Sequence, residues 1–451
     1  MNLFKKLCQR HEQNNPIRIA LIGAGKFGSM YLSQIPNCKG VHITSIIDLD
    51  LKKISENLLK IGWPKTQYQT TSIEKALKDG STFISEDWEK IISHPSIEII
   101  IECTGNPIAA VKHSIAAFEN KKHVINVTVE ADAVCGLMLA KKAELNGVTY
   151  SLAYGDQPAL ATELVDWAKT SGFQVIAAGR GHKWLPQYRE STPDTVWKHW
   201  GLTIEQAEIG GLNPKMFNAF LDGSKPAIES AAIANATGLN VPQNGLAFPP
   251  GSIDDIPTLM RPIQEGGVLE QVGLVEVISS IDRNGIPLPY DIRKGVWVCI
   301  KAENDYIRNC FKEYKVTTDP SGQYMGMYRR WHLIGLELGI SVASIGLRNE
   351  PTGVPKEFNA DVVATCKRKL NKGEILDGEG GYMVFGKLCP AHISLQSGYL
   401  PLGLASGIRL KHNVKKDQIL SWNDVDFDTS ITAYQMRKEQ EKEISKIKNN
   451  K

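Results

Sequence analysis

Three clusters of cations and acids in the middle of the chain could carry out proton transfer or anion binding. The first is Gly179-Arg180-Gly181-His182-Lys183, which follows the apolar run Val175–Ala178. Cations placed among glycines can bind an anion or polarise a carbonyl. A solvated basic turn would have the same composition, so both interpretations stay open. Lys183 is the catalytic candidate of this cluster.

The second cluster lies on a segment with helical spacing. Lys225 and Glu229 stand four residues apart and therefore share a helix face, among small and apolar neighbours. A desolvated lysine has a lowered pKa and can protonate a carbonyl that accepts a hydride. We therefore predict Lys225 as catalytic and Asn213 and Glu229 as substrate-binding. The alternative is a surface ion pair, worth roughly tenths of a kcal/mol.

The third cluster is Arg329-Arg330-Trp331-His332. An apolar stripe predicts a long helix over residues 330–348, so these cations would stand at a helix N-terminus. Cations are unfavourable there unless an anion compensates them. The pattern predicts a phosphate or carboxylate site, with Arg329 and Arg330 as substrate ligands and His332 as a catalytic candidate. A hydrogen-bonded structural histidine is the alternative for His332.

A glycine motif near the start of the chain predicts a dinucleotide cradle. The apolar run Ile17–Ile22 leads into Gly-x-Gly-x-x-Gly. In such a motif the first glycine allows a tight turn, the second lets the backbone approach a pyrophosphate, and the third lets a helix pack on the strand. The predicted cofactor-binding residues of this motif are Gly23, Gly25, Lys26, Phe27 and Gly28.

Further candidates follow the next predicted strands. Asp48 ends an apolar run at the distance where an acid binds the adenosine ribose hydroxyls. Thr104 and Gly105 follow a strand and would lie at the carboxyl edge of the sheet, where a doubly wound fold binds its ligand. The acid at Asp48 favours NAD, whereas the nearby Lys52 and Lys53 could offset its charge. The predicted cofactor is therefore NADP or NAD.

Alternating strand and helix patterns predict an α/β protein of several domains. Residues 17–152 are predicted to form an N-terminal Rossmann domain with a doubly wound sheet. Residues 153–351 are predicted to form a less regular substrate domain with long ordered loops, and residues 356–428 a compact β-rich domain. The ends, residues 1–16 and 436–451, are predicted to be flexible.

Composition is that of an ordinary globular protein. The chain has 451 residues and a formal net charge of +3, which gives no case for binding nucleic acid or a membrane surface. Its 8 cysteines are scattered without metal-ligand spacing and are best interpreted as reduced thiols. The start of the chain lacks the apolar core of a signal peptide, and no apolar run is long enough for a membrane span. We expect a cytoplasmic protein.

Several longer motifs resemble those of one enzyme family. The chain is similar, from about residue 17 to 428, to the homoserine-dehydrogenase-related oxidoreductases with a C-terminal SAF domain, and within them to the deoxyxylulose-phosphate reductoisomerase-like enzymes. The segments that carry the resemblance are Gly155–Ala159, Ser191–Trp197, Leu221–Lys225, Ile233–Gly238, His332–Glu337 and Gly378–Tyr382. The resemblance implies that residues 153–351 form an α+β catalytic and oligomerisation domain and that the β-rich domain has a SAF fold. It also implies an acid and a lysine as catalytic residues, here Asp222 and Lys225.

The resemblance leads to one main hypothesis and two alternatives. The main hypothesis is an NAD(P)-dependent oxidoreductase, reductoisomerase-like, that acts on a small keto or hydroxy compound such as a sugar or polyol phosphate. The alternatives are a homoserine-type dehydrogenase without rearrangement and a cofactor-binding sensor. A homo-oligomer, dimer or tetramer, is expected. A divalent metal is possible, with Asp194, Asp222 and Glu229 as oxygen ligands, but no spacing predicts a metal site.

Overall fold

The computed structural model describes residues 2–449. Its strands, in chain order, are β1 (Ile17–Ile22), β2 (Val41–Ile47), β3 (Phe83–Ser85), β4 (Ile99–Glu102), β5 (His123–Asn126), β6 (Tyr150–Leu152), β7 (Gln174–His182), β8 (Leu274–Ser279), β9 (Val296–Lys301), β10 (Tyr324–Arg329), β11 (Ala360–Cys366), β12 (Ile375–Asp377), β13 (Val384–Pro390), β14 (Ser406–Leu410) and β15 (Val425–Asp426).

Helices connect these strands. They are α1 (Leu3–Glu12), α2 (Lys26–Leu32), α3 (Leu51–Lys60), α4 (Ile73–Asp79), α5 (Trp88–Ile92), α6 (Pro107–Glu119), α7 (Val129–Leu145), α8 (Gln157–Thr170), α9 (Val196–Trp200), α10 (Ile204–Ile209), α11 (Pro214–Leu221), α12 (Ser224–Thr237), α13 (Ile256–Leu259), α14 (Asp305–Glu313), α15 (Gly339–Arg348), α16 (Ala391–Ser397) and α17 (Thr432–Asn449).

The chain folds into two compact units, each built from two separate stretches of sequence. Unit 1 comprises the chain up to Leu160 together with Leu333–Val354. Unit 2 comprises Ala161–His332 and the chain from Pro355 onwards. This division places the residues after Pro355 in the same unit as the middle of the chain. The three domains predicted from the sequence stay a prediction.

Unit 1 is built on a parallel sheet of six strands in the order β3-β2-β1-β4-β5-β6. The strands are short, apolar and buried on both faces, as parallel strands between helices must be. The order reverses between β1 and β4, and a ligand-binding crevice forms at the carboxyl ends of strands at such a switch point. The prediction of an α/β protein with a doubly wound Rossmann sheet is confirmed.

The late helix α15 completes the core of unit 1. Leu338, Val342 and Ile345 are buried in one cluster with Ile17 and Ile19 of β1. The predicted helix over 330–348 is wrong in its first half, because α15 begins only at Gly339. Gly335 has a φ of 76°, a left-handed conformation that no α-helix contains.

Unit 2 contains a four-stranded sheet in the order β10-β9-β7-β8. Strand β7 continues through Gly179-Arg180-Gly181-His182, which corrects the prediction of a basic loop at these residues. The glycines are needed for close packing, not for a turn. A Cβ on Gly179 would lie 1.8 Å from the carbonyl oxygen of Glu276, and one on Gly181 would lie 2.0 Å from that of Ile292.

The β-rich C-terminal segment belongs to unit 2 and packs on helix α12. Strands β11 and β13 pair antiparallel, and β12, β14 and β15 form a second small sheet. Asn235 of α12 accepts hydrogen bonds from the backbone N–H groups of Asn359 and Ala360, each at 2.9 Å. Helix α12 is buried along almost its whole length, which explains its mixture of alanine, isoleucine and serine.

Both chain ends carry helices where the sequence predicted flexibility. In α1, Leu3 is buried and Arg10 forms a 2.8 Å ion pair with Glu98. In α17, Arg437 is fully buried and its Nη1 lies 3.1 Å from Asp361 Oδ1. Amphipathic spacing alone did not reveal these anchors, because their partners lie far away in sequence. The remaining predicted flexible residues 1, 450 and 451 lie outside the described part of the chain.

Candidate functional site

The glycine turn of unit 1 has the shape that its motif predicts. Gly23 has a φ of 100°, and a Cβ there would lie 2.6 Å from the carbonyl oxygen of Cys103. A Cβ on Gly28 would lie 2.5 Å from the carbonyl oxygen of Gly23, so α2 packs directly on the turn. A Cβ on Gly25, in contrast, would meet nothing within 4 Å. This open approach to the backbone fits the pyrophosphate of a dinucleotide.

Asp48 lies beside this turn at the end of β2. Its Oδ2 accepts a 2.8 Å hydrogen bond from the N–H of Ala24, and Asn57 donates to the carbonyl of Ala24 at 2.9 Å. The carboxylate is only half-buried. It is therefore held against the turn, at the position where the predicted ribose contact requires an acid. Lys26 and Phe27 form the first turn of α2.

Buried polar groups organise the ends of β4 and β5. Glu102 has no exposed surface and accepts a hydrogen bond from Thr104 Oγ1 at 2.6 Å and one from Thr128 Oγ1. The Thr128 hydroxyl in turn accepts from the N–H of Gly105 at 3.0 Å. His113 Nδ1 lies 3.3 Å from Glu102. Sequence reasoning singled out Thr104 and Gly105 but missed Glu102 and Thr128; a carboxylate that ends a buried strand was the available signal.

Asp132 extends the same edge of the sheet towards β6. It accepts hydrogen bonds from Asn126 Nδ2 at 2.7 Å and from the Tyr150 hydroxyl at 2.9 Å. Burial raises the pKa of Asp132 to about 7 despite these donors. The carboxyl therefore changes its protonation state near neutral pH, which is unusual for an aspartate.

This raised pKa predicts a pH-dependent stability. An unfolded aspartate has a pKa of about 4, so between pH 4 and 7 the folded state binds more protons, and stability falls as pH rises through this window. We therefore expect the difference in free energy of unfolding between Asp132→Asn and the wild type to shift in favour of the variant when the pH is raised from 5 to 8. Urea unfolding at both pH values measures this difference. An equal difference in free energy at both pH values would contradict the assignment.

In unit 2, three backbone segments bring basic residues together. The N–H of Gly181 on β7 donates to the carbonyl of Gly295 at 3.1 Å. A Cβ on Gly295 would lie 2.3 Å from the carbonyl oxygen of Arg329. His332 Nδ1 donates to the carbonyl of Lys294 at 2.6 Å. We call the side chains carried by these segments the basic cluster: Arg180, His182, Lys183, Arg293, Lys294, Arg329, Arg330 and His332.

Arg180 and Arg293 lower the pKa of neighbouring members of the basic cluster. Partial burial, and then the charge of Arg293, lower the pKa of Lys183, whose Nζ donates to the carbonyl of His199 at 2.6 Å. Desolvation, with Arg180 and Arg293, lowers the pKa of Lys294. Burial lowers the pKa of His182 well below its usual range, and Nε2 donates to the carbonyl of Phe220 at 2.8 Å. An anion bound here would relieve this repulsion.

The sequence identified most of this cluster but misplaced part of it. Arg329 is the last residue of β10, and Arg330 and His332 follow in a loop, so the argument from a helix N-terminus is wrong. Arg293 and Lys294 were missed, although two consecutive cations before a glycine and a strand are a visible signal. The hydrogen bond at Nδ1 fixes the His332 ring, because a carbonyl oxygen can only accept.

Glu229 and Asn213, which were predicted to bind the substrate, interact with other groups of the protein. Glu229 is buried and forms an ion pair with Arg180. Its burial excludes the surface ion pair considered from the sequence. Lys225 lies half-buried in the first turn of α12. The exposed Asn213 caps α11 by accepting from the N–H groups of Lys215 and Met216.

Asp222 is tied to the C-terminal segment. Its Oδ1 accepts from the N–H of Ser224 at 2.9 Å, and its Oδ2 lies 2.8 Å from Lys367 Nζ. Lys367 also donates to the carbonyls of Ser191 and Gly381, at 2.8 and 2.7 Å. Both charged groups are buried. Lys367, which sequence reasoning missed, thus holds the junction between α11 and α12 through Asp222.

Residues 2–449 contain neither a cluster of metal ligands nor a membrane-spanning helix. No group of three or more His, Cys, Asp or Glu side chains in this part of the chain could hold a metal ion. Among the same residues, no helix combines the length and apolar character needed to cross a bilayer.

Family models match two consecutive parts of the chain. Residues 23–153 match the NAD-binding domain of homoserine dehydrogenase, and residues 155–338 match the catalytic domain of the oxidoreductase DRL. The chain thus joins a part similar to the NAD-binding domain of homoserine dehydrogenase to a part similar to the DRL catalytic domain, and it is an NAD(P)-dependent oxidoreductase. The resemblance predicted from the sequence is confirmed in these two domains. The match to an NAD-binding domain supports a nicotinamide cofactor.

Several solved structures are similar to parts of this chain at low identity. An oxidoreductase domain protein from Kribbella flavida is 18% identical over 39% of this chain, with a TM-score of 0.29. The match spans 46% of that protein's length. Homoserine dehydrogenase from S. aureus is 20% identical over 35% of this chain and 40% of its own, with a TM-score of 0.22. A DOX-P reductoisomerase with magnesium is 12% identical over 50% of this chain and 58% of its own, with a TM-score of 0.31. No curated protein matches the chain by sequence.

Proposed function

We propose that this oxidoreductase interconverts a carbonyl and an alcohol on a small anionic compound, most simply a sugar or polyol phosphate such as deoxyxylulose 5-phosphate. The observation that supports this proposal is the basic cluster. Three separate backbone segments bring cations together there; Glu229 pairs with Arg180 and Asp291 acts on Lys294, while the cluster carries more cations than these two carboxylates offset. Such a surplus of positive charge favours a phosphate over a neutral or zwitterionic substrate.

Roles for the individual residues follow from their surroundings. Arg329 and Arg330, with Arg293 and Lys294, hold the anionic end of the substrate. Lys183 donates the proton that the developing alkoxide requires, because its lowered pKa favours proton release. His332, whose ring is fixed through Nδ1, is a further candidate for proton exchange. Lys225 is a second candidate donor, whereas Asp222 and Glu229 act by positioning helix α12.

The cofactor is proposed to bind to unit 1. Gly23, Gly25 and Gly28 would cradle the pyrophosphate, Asp48 would bind the adenosine ribose, and Thr104 and Gly105 would line the carboxyl edge of the sheet. When bound, the nicotinamide supplies or takes up a hydride. Asp48 favours NAD over NADP, since an acid repels a 2′-phosphate. Lys52 on the following helix α3 would offset part of this repulsion.

The second candidate is dehydrogenation without rearrangement, as in a homoserine-type enzyme. The match to the homoserine dehydrogenase NAD-binding domain favours it. Its substrate would be an acyclic hydroxy acid. A SAF identity for residues 356–428 and a homo-oligomeric state are parts of the proposal that sequence resemblance alone supports.

A substrate panel tests the proposed function. Sugar phosphates, polyol phosphates and hydroxy acids are each incubated with NADH or NADPH, and with the oxidised cofactors, while absorbance at the nicotinamide band is followed. Turnover with a phosphate ester is the expected result, and carbon-labelled product analysis separates a rearranged from an unrearranged skeleton. Turnover with hydroxy acids only would replace the proposal with the second candidate. Cofactor binding without any turnover would favour a sensor.

Removing one cation of the cluster should weaken substrate binding selectively. For Arg293→Met we expect KM for the phosphate substrate to rise about 10–100-fold, the effect of losing a charge-assisted hydrogen bond of about 1.5–3 kcal/mol. KM for the cofactor should stay unchanged. Lys312→Met removes an exposed lysine of α14 and serves as the control. An equal rise in both KM values would indicate general damage and not loss of an anion ligand.

A further inference from the structure

We propose that Glu102 and Thr128 are positioning residues that hold the Thr104–Gly105 turn in the conformation that binds the dinucleotide. The proposal rests on cofactor binding by unit 1 and not on the identity of the substrate. Neither residue belongs to the glycine motif, and neither is close to it in sequence.

The hydrogen bonds of the turn converge on these two side chains. Glu102 Oε1 accepts from Thr104 Oγ1 at 2.6 Å and from the Thr104 N–H at 3.4 Å, and its Oε2 accepts from Thr128 Oγ1. Thr128 Oγ1 accepts from the Gly105 N–H at 3.0 Å. The Thr128 hydroxyl therefore links the carboxylate to the backbone of the turn, giving and accepting one hydrogen bond.

The turn lies directly beside the glycine motif. Strand β1 pairs with β4 so that Ile22 stands opposite Glu102. A Cβ on Gly23 would lie 2.8 Å from the backbone nitrogen of Thr104, so the two loops are in contact at the switch point of the sheet. A dinucleotide that crosses this edge must pass over the turn, because ligands of doubly wound sheets bind at the switch point.

The conformation of the turn needs this support. Gly105 has a φ of 70°, and Asn106 then caps α6 by accepting from the N–H groups of Ile108 and Ala109. Because Gly105 lies directly before Asn106, the N-cap of α6, a shift of the Gly105 amide would also move the N-terminus of this helix. Thr128 is itself fixed, since its carbonyl accepts from Asn126 Nδ2 at 3.0 Å.

Isosteric variants separate positioning from stability. Thr128→Val removes both hydrogen bonds and keeps the shape, whereas Thr128→Ser keeps the hydroxyl. The matched control is Thr44→Val, which removes a buried hydroxyl that donates to Ile19 in the middle of the same sheet. Kd values for NADH and NADPH are measured by fluorescence titration of the full-length protein, and hydrogen exchange is followed at the peptide that contains Gly105.

We expect Thr128→Val to raise the Kd of the bound cofactor about tenfold and to speed exchange at Gly105, while Thr128→Ser and Thr44→Val bind as the wild type does. Glu102→Gln should weaken binding similarly, and the double variant should be no weaker than the worse single variant, since both act on one network. A wild-type Kd in Thr128→Val would overturn the proposal. If the wild type binds neither cofactor, both the assignment of cofactor binding to unit 1 and the positioning role fail. If the wild type binds a cofactor and Thr128→Val binds it equally well, only the positioning role is refuted.

Discussion

Replacing Lys367 with methionine should lower the free energy of unfolding by about 3–5 kcal/mol, the usual cost of breaking a buried ion pair from one side. Lys367 Nζ has Asp222, Ser191 and Gly381 as partners within 2.8 Å. Methionine fills a similar volume but cannot donate a hydrogen bond. Asp222 would then stay buried without a counter-ion, in the place where α11 ends and α12 begins.

Urea unfolding of the full-length protein measures this loss. Lys369→Met, an exposed neighbour, is the matched control and should change stability by less than about 0.5 kcal/mol. Adding Asp222→Asn to the Lys367→Met variant removes the uncompensated charge and should restore part of the stability. A loss below about 1 kcal/mol for Lys367→Met would mean that Asp222 finds another partner or a water molecule.

Alanine at two glycines of the cofactor motif should give opposite results. Gly23→Ala should destabilise the fold itself, by about 1–3 kcal/mol from the backbone conformation alone, because its φ is 100° and its Cβ would lie 2.6 Å from a backbone oxygen. Gly25→Ala should leave thermal stability unchanged, since its φ is −72° and its Cβ meets no protein atom within 4 Å. That methyl group would instead occupy the space of the pyrophosphate.

Thermal unfolding without cofactor and titration with NADH and NADPH separate the two effects. We expect Gly23→Ala to lower Tm, and Gly25→Ala to keep Tm while raising Kd more than about tenfold, the equivalent of about 1.4 kcal/mol. Gly25→Ser, which is slightly larger, should weaken binding at least as much. Unaltered cofactor affinity in Gly25→Ala would show that the dinucleotide does not approach the backbone at this residue.

Local patterns were sufficient to predict most strands of the parallel sheet in unit 1. These strands are short apolar runs with a polar residue or glycine at or just after their ends, such as Gly23 after β1 and Asp48 after β2, and this information lies within a few residues of each strand. The predictions failed where a distant segment decides the conformation. Gly179 and Gly181 look like loop residues until the carbonyls of Glu276 and Ile292 are placed against them. The apolar spacing over 330–348 continued through Gly335, whose left-handed conformation depends on tertiary packing.

The candidate site was predictable in its residue types but not in its partners. Lys183, Arg329 and His332 stood out as cations in unusual surroundings, and the structure brings their segments together. The partner of Glu229 is Arg180, and the partner of Asp222 is Lys367, a residue of the C-terminal segment. No spacing rule relates residues so far apart. Buried charges reveal their role only when the fold places a counter-ion beside them.

The order in which the two units share the chain has a consequence for synthesis on the ribosome. When the first 160 residues have emerged, unit 1 still lacks α15, whose Leu338, Val342 and Ile345 close the core around Ile17. A nascent chain must therefore keep an incomplete apolar surface in contact with water while the whole of Ala161–His332 is translated. Unit 2 likewise lacks the segment after Pro355 until that segment is translated, so both units complete their cores only late in translation.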